Sequence, residues 1–202
     1  MQRLTFRAIR TIITSFPASR LQLYMTGLNG VLTREDIIEL LHKKPPLVEE
    51  TVAIDEQLQP NGLDLTVREV GAFSSRGNLT ETNDGRVLSK VTPLIFDDHG
   101  GIDMLPGAYL VTFNEIVNLP RNVMALGRPR STLNRCGISM HSAVWDAGYS
   151  GRSQSLLVVY NAHGFRLHRN ARILQLVFFR LSRGVAQGYR GKYQQENITQ
   201  IV

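Results

Sequence analysis

After Pro46 the apolar residues of this chain come in short runs broken by Gly, Pro, Asn and Asp, and that pattern limits the fold more than any other feature. Candidate strands cover residues 64–70, 108–113, 123–126, 155–160 and 173–179, with turn signals at Asn83-Asp84-Gly85, Pro106-Gly107 and His163-Gly164. One helical segment precedes them. Thr33 stands where an N-cap belongs, Glu35 and Asp36 put acids in the first turn, and Ile37, Ile38, Leu40 and Leu41 form an apolar stripe. Lys43, Lys44 and the Pro45-Pro46 break end it. Many short strands and one short N-terminal helix mean an all-β sandwich or barrel.

A chain of 202 residues that is 43% hydrophobic can bury a sizeable core, and residues 26–202 read as a single domain. The formal charge of +6 suggests nucleic acid until its distribution is considered. Arg3, Arg7, Arg10 and Arg20 precede Met25 without any acid, and the remaining 19 basic and 17 acidic residues net only +2. The body is therefore not a nucleic-acid surface by charge. Residues 1–25 share their composition with organellar transit peptides; the simpler reading is a basic extension, or a start placed upstream of Met25. No apolar run approaches the ~20 residues of a membrane span, so no membrane partner is expected. The single cysteine, Cys136, excludes an internal disulfide framework and a cysteine-built zinc site, which favours a reducing, cytoplasmic setting.

Residues 127–151, GRPRSTLNRCGISMHSAVWDAGYSG, hold the chemistry. Arg128, Arg130 and Arg135, with Arg152 just beyond, surround one carboxylate, Asp146, among glycines and hydroxyls. Guanidinium groups pair with phosphate oxygens at any working pH, and a lone carboxylate can take a proton from an attacking water. That is the outline of a phosphohydrolase acting on a polyphosphate ester; charge alone would equally describe a solvated basic turn.

The wording of the stretch is more specific. Arg130-Ser131-Thr132-Leu133 resembles the Arg-Ser-Ser-Leu signature of the dUTPase and dCTP deaminase superfamily, and Trp145-Asp146-Ala147-Gly148-Tyr149-Ser150-Gly151 is similar to its third motif, hydrophobic-Asp-x-x-Tyr-x-Gly. Asn61-Gly62-Leu63-Asp64-Leu65 resembles the first motif, and Ala171-Arg172-Ile173-Leu174-Gln175-Leu176 the fourth, Arg-Ile-Ala-Gln-Leu. The four fall in the family order, and residues 143–149 look closest to the archaeal-type dUTPases. The resemblance implies a distorted jelly roll assembled as a homotrimer with shared active sites. It also implies a dUTP diphosphatase that cuts dUTP to dUMP and pyrophosphate, keeping uracil out of DNA and supplying dUMP for dTMP synthesis.

The resemblance assigns roles residue by residue. Asp146 matches the general base that activates water for in-line attack on the α-phosphate. Ser131 and Arg130 match phosphate contacts, with Thr132 beside them, and Gln175 matches a glutamine that orients phosphate or water. Arg135 matches an arginine near the triphosphate in the deaminase branch. Tyr149 matches a ring lying against the deoxyribose, where a core aromatic is the plain alternative. Gly148 and Gly151 would let backbone approach the ligand, and residues 138–144 would form the hairpin that reads uracil. Asp64 matches a first-motif aspartate near metal and triphosphate, with a structural turn as the alternative. Mg²⁺ would be held through substrate phosphates and water, with no direct protein ligand. The tail departs from the commonest dUTPase pattern: Gly188-Tyr189-Arg190-Gly191-Lys192-Tyr193-Gln194 resembles the deaminase-like ending Tyr-x-x-Lys-Tyr-x-Gln, where Tyr189 could stack and Lys192 and Arg190 reach phosphate. Two rivals are dCTP deamination and a non-catalytic nucleotide-binding trimer. Deaminases of this superfamily carry a glutamate three residues before an Asn; counting back from Asn161 gives Val158, which can move no proton.

Overall fold

The computed structural model describes residues 30–198. The basic N-terminal segment, and with it the proposed boundary at residue 25, lies outside the described residues.

The chain turns first through β1 (Gly30–Val31) into helix α1 (Arg34–Leu41). Its start is the one the sequence signalled: the Thr33 hydroxyl accepts from Asp36 N at 3.3 Å, and Thr33 N donates to Asp36 Oδ2 at 2.9 Å, a reciprocal capping box. Ile37 on its inner face is fully buried.

One ten-stranded sheet dominates. Seven strands cross it in the order β10 (Ile138–His141), β13 (Gln154–Val159), β7 (Gly107–Phe113), β4 (Gly62–Phe73), β15 (Arg172–Arg180), β9 (Val123–Pro129) and β11 (Val144–Trp145). Every neighbour pair is antiparallel. β1 adds to β15, while β3 (Leu58–Gln59) and β5 (Val91–Pro93) add to β4. A three-stranded sheet, β12 (Ser150–Gly151), β8 (Ile116–Asn118) and β2 (Val48–Glu49), and a pair, β14 (Phe165–His168) with β6 (Gly101–Met104), complete the fold.

The expected uracil hairpin at residues 138–144 is not a hairpin. β10 pairs with β13 and β11 with β9, at opposite ends of the sheet order, although only residues 142 and 143 join them. Two residues reach no further than about 10 Å, so the ends of the sheet must lie close together and the sheet must curl on itself. Inside the curl, Leu63, Leu65 and Val67 of β4 pack with Val111, Phe113, Leu157, Leu174, Leu176 and Phe178 in one buried cluster.

The mostly β class agrees with expectation, but the single helix does not. One-turn helices α2 (Ile54–Gln57) and α3 (Ser131–Arg135) also form. Four or five residues are too few to show a helical period, and neither carries a side-chain cap.

Candidate functional site

The first group of predicted residues gathers on three adjacent strands. Register places Gln175 of β15 directly between Asp64 of β4 and Arg128 of β9, and directly opposed residues project from the same face. Leu174 and Leu176, one step either side, are buried in the core, so alternation turns Gln175 to the outer face. Gly62 makes this arrangement possible: a Cβ there would meet Leu176 O at 2.4 Å and Gln175 Nε2 at 2.9 Å. The Asn-Gly of the first motif is thus a space requirement of the fourth.

Asp64 is almost completely buried, and its neighbours explain how a carboxylate survives there. Arg130 Nε approaches Oδ2 at 3.1 Å and Arg172 Nη1 at 3.9 Å. Burial pushes the Asp64 carboxyl above its ordinary range and outweighs the two guanidiniums, which act in the opposite direction. Arg172 had no role in the sequence reading. A bulge between Arg172 and Leu174 shifts the register where β15 leaves Asp64, the kind of irregularity that re-aims side chains. Arg130 is also held from behind, its backbone N donating to Ile173 O at 3.0 Å and its Nη1 to Arg172 O at 3.4 Å. Asp64 therefore serves first as the anchor of the second-motif arginine. Ser131, Thr132 and Arg135 follow on α3 with exposed side chains, and Arg128 is exposed beside them.

Beneath this corner lies a group the sequence concealed. Glu115 is fully buried; it accepts from Thr66 N at 2.9 Å, Thr66 Oγ1 at 2.6 Å and Gln57 Nε2 at 2.7 Å. Gln57 Nε2 also donates to Asp64 O at 2.8 Å, tying α2 to the strand that carries Asp64. Burial raises the Glu115 carboxyl against these hydrogen bonds. In sequence Glu115 reads as a turn acid after Phe113-Asn114, and nothing local marks it.

The second group sits in a cleft of about 990 Å³. Asp146 is exposed on its wall, which Trp145, Tyr149, Gln154, Leu79 and Leu88 also line. No Lys, Arg or His lines it among the described residues. Buried Trp145 Nε1 and Ser153 Oγ, both on the lining residues, have no hydrogen-bond partner among the described residues; such atoms mark places where a ligand or water supplies one.

Here the tail, residues 188–197, folds back over residues 146–152. Tyr189 N donates to Ala147 O at 2.9 Å, Gln195 N to Ser150 O at 2.8 Å and Arg152 N to Glu196 O at 2.9 Å. The Gln194 side chain accepts from Ser150 N at 3.0 Å and donates to Gly148 O at 2.9 Å. Tyr189 meets Tyr149 edge-on, ring centroids 5.8 Å apart. Lys192 is exposed and off the cleft lining. Gly148 and Gly151 do not open the backbone to a ligand as expected. A Cβ on Gly148 (φ +86°) would meet Gly188 Cα at 2.6 Å, and one on Gly151 would meet Tyr149 Oη at 2.5 Å. They make room for the tail and for the Tyr149 ring.

The two groups do not meet within one chain. Asp146 directly follows Trp145, which pairs with Ala125 near the start of β9. Arg130 stands just past the other end of that strand, five residues on from Ala125, roughly 16 Å at about 3.3 Å per residue. The carboxylate and the cations face different surroundings.

A profile of the dCTP deaminase-like family matches residues 31–181. The chain belongs to that family. It is 47% identical over 168 residues to the "Probable deoxyuridine 5'-triphosphate nucleotidohydrolase" of Methanococcoides burtonii, covering 83% of this chain and 99% of that protein. It is 44% identical over 169 residues to the protein of the same name from Archaeoglobus fulgidus, covering 84% and 98%. Among solved structures, the 2'-deoxycytidine 5'-triphosphate deaminase from Agrobacterium tumefaciens aligns with a TM-score of 0.58 at 21% identity, over 75% of this chain and 48% of that one. At that identity the likeness shows a shared fold alone. No helix among the described residues is long and apolar enough to cross a membrane.

Proposed function

We propose that this protein hydrolyses dUTP to dUMP and pyrophosphate at sites completed between copies of the chain, as a homotrimer would provide. The observation that carries the reading is the division of labour: a cleft with an exposed carboxylate and aromatic walls but no lining cation, and a separate corner of arginines, hydroxyls and Gln175. A triphosphate needs both. Roughly 16 Å of strand lies between Ala125, the partner of Trp145, and Arg130 in one chain, which supports a site whose corner comes from a neighbouring copy.

In this arrangement Asp146 accepts the proton of the attacking water, and Gln175 orients that water or a phosphate oxygen. Ser131 Oγ follows the charge moving onto the bridging oxygen, and Arg130, aimed by Asp64, holds phosphate oxygens through the guanidinium N–H groups not taken by Asp64 Oδ2 and Arg172 O. Arg135 and Lys192 add positive charge around the triphosphate, and Thr132 adds a hydroxyl donor. Mg²⁺ would neutralise that triphosphate with phosphate and water oxygens as its main ligands. Exposed Asp146 is fitted to accept from metal-bound water; Asp64, whose Oδ2 already faces two arginines, is not.

The names of the relatives support dUTP as substrate. Deamination of dCTP finds no support at Val158, whose cross-strand neighbours are Ser139 and Ala108, neither of which can exchange a proton as a carboxylate does. The presence together of Asp146, Ser131 and Gln175 argues against a purely binding role. The test is one incubation of purified protein with Mg²⁺ and dUTP or dCTP, followed by product separation. Pyrophosphate and dUMP are expected; dUTP formed from dCTP, or no turnover of either, would overturn the proposal.

A further inference from the structure

The tail does more than cover residues 146–152: it takes hold of one atom in the cleft. The Tyr149 hydroxyl donates to Glu196 Oε1 at 2.9 Å. Tyr149 is 6% exposed, and the Glu196 side chain is half-buried against it. The ring is confined on two further sides. Tyr189 meets it edge-on at an interplanar angle of 67°, and Gly151 leaves it space that any side chain would fill. Glu196 itself is fixed by backbone: its carbonyl accepts from Arg152 N at 2.9 Å, and the residue before it is tied to Ser150. Asn197 adds a side-chain bond to Arg152 O at 2.9 Å. A buried phenol needs an acceptor, and here an anchored strap supplies it as a carboxylate.

We propose that Glu196 is a positioning residue for sugar selection. By holding the Tyr149 hydroxyl it fixes the ring at the angle and depth that exclude a 2'-hydroxyl, so that deoxyribonucleotides are chosen over ribonucleotides. The inference rests on the proposed function and on the sugar contact that the resemblance implies for Tyr149. Its physical basis is that shape exclusion works only while the excluding group cannot move: a ring free to tilt by a few tenths of an ångström readmits a hydroxyl. Burial, and then the neighbouring Glu196 charge, push the Tyr149 phenol upward, so the hydroxyl keeps the proton it donates; burial also raises the Glu196 carboxyl from its ordinary value.

The test measures binding, so that it does not depend on turnover. Affinities for α,β-imido-dUTP and α,β-imido-UTP are compared by calorimetry in wild type, Glu196→Ala, Glu196→Gln, Tyr149→Phe and the double variant Tyr149→Phe/Glu196→Ala. Glu196→Ala should lower the deoxy-to-ribo ratio about tenfold, chiefly by tighter UTP-analogue binding. Glu196→Gln should keep the ratio within about twofold, because its amide oxygen accepts the same hydrogen bond. Tyr149→Phe should reproduce the alanine variant, and the double variant should lose no more than either single one. If Glu196→Ala does not fold, Tyr149→Phe removes the same bond from the other end and decides the matter. A ratio unchanged in Tyr149→Phe, or losses that add in the double variant, would overturn the proposal. A wild type that binds neither analogue would overturn the function itself, and is told apart because every variant then fails alike.

Discussion

The arginine corner and the tyrosine cleft are held by different means. Asp64, Arg130, Arg172 and Gln175 are placed by the register of β4, β15 and β9, with buried Glu115 and Gln57 bracing them from below. Asp146 and Tyr149 lie on a glycine-containing loop between β11 and β12 and depend on a tail that returns from the far end of the chain. The contrast follows from what each must resist. Guanidiniums around a buried carboxylate repel one another and must be fixed by a rigid lattice of backbone bonds. A wall that judges the fit of a sugar needs close packing, which a loop and strap can supply while still parting to admit a nucleotide.

The largest expected effect falls in the cleft. Asp146→Asn keeps the shape but cannot accept a proton, so kcat should fall about 10²- to 10⁴-fold while thermal stability and dUTP-analogue affinity stay close to wild type. Retention of more than roughly a third of kcat would remove Asp146 as the base. In the corner, Arg130→Ala should raise KM by about 10- to 100-fold through a lost charged hydrogen bond. It should also lower the melting temperature, because Asp64 is left buried with only Arg172 at 3.9 Å. A variant with weaker binding but full stability would show that the corner is not the rigid half. Tyr149→Ala comes next: kcat/KM for dUTP should drop as the gap between dUTP and UTP narrows by about tenfold or more, measured in competition. Slower turnover with unchanged selectivity would make Tyr149 a packing residue.

The smallest effect lies outside both regions and gives them a baseline. Backbone hydrogen bonding from Gly101, then the Arg166 guanidinium, lowers the exposed Asp97 carboxyl to about 2. A depressed folded value means the contribution is complete above the ordinary carboxylate range and fades as pH falls from about 4 toward 2. Melting curves over that window should show wild type losing slightly more stability than Asp97→Asn. Burial has the opposite sign at Asp64: its raised carboxyl takes up a proton earlier in the folded state, so Asp64 opposes the acid-induced loss that Asp97 promotes.

Local chemistry was readable from the sequence wherever neighbours in the chain act on each other. The Thr33 N-cap, the strands expected at residues 64–70 and 173–179 and the wording of each of the four motifs arise within a few residues, where propensity and spacing decide. Contacts between distant segments were not readable. Glu115 looks like a turn acid until Thr66 and Gln57 close on it, Arg172 has no stated task until a bulge turns β15 past Asp64, and Glu196 is an unremarked tail residue until it meets Tyr149. The supposed hairpin at residues 138–144 failed for the same reason. Two adjacent strands with a tight link pair locally unless better partners exist, and only the curled sheet offers β10 and β11 the long edges of β13 and β9. Nearest-neighbour spacing determined which groups this chain owns; the closing of one sheet upon itself decided which of them stand together.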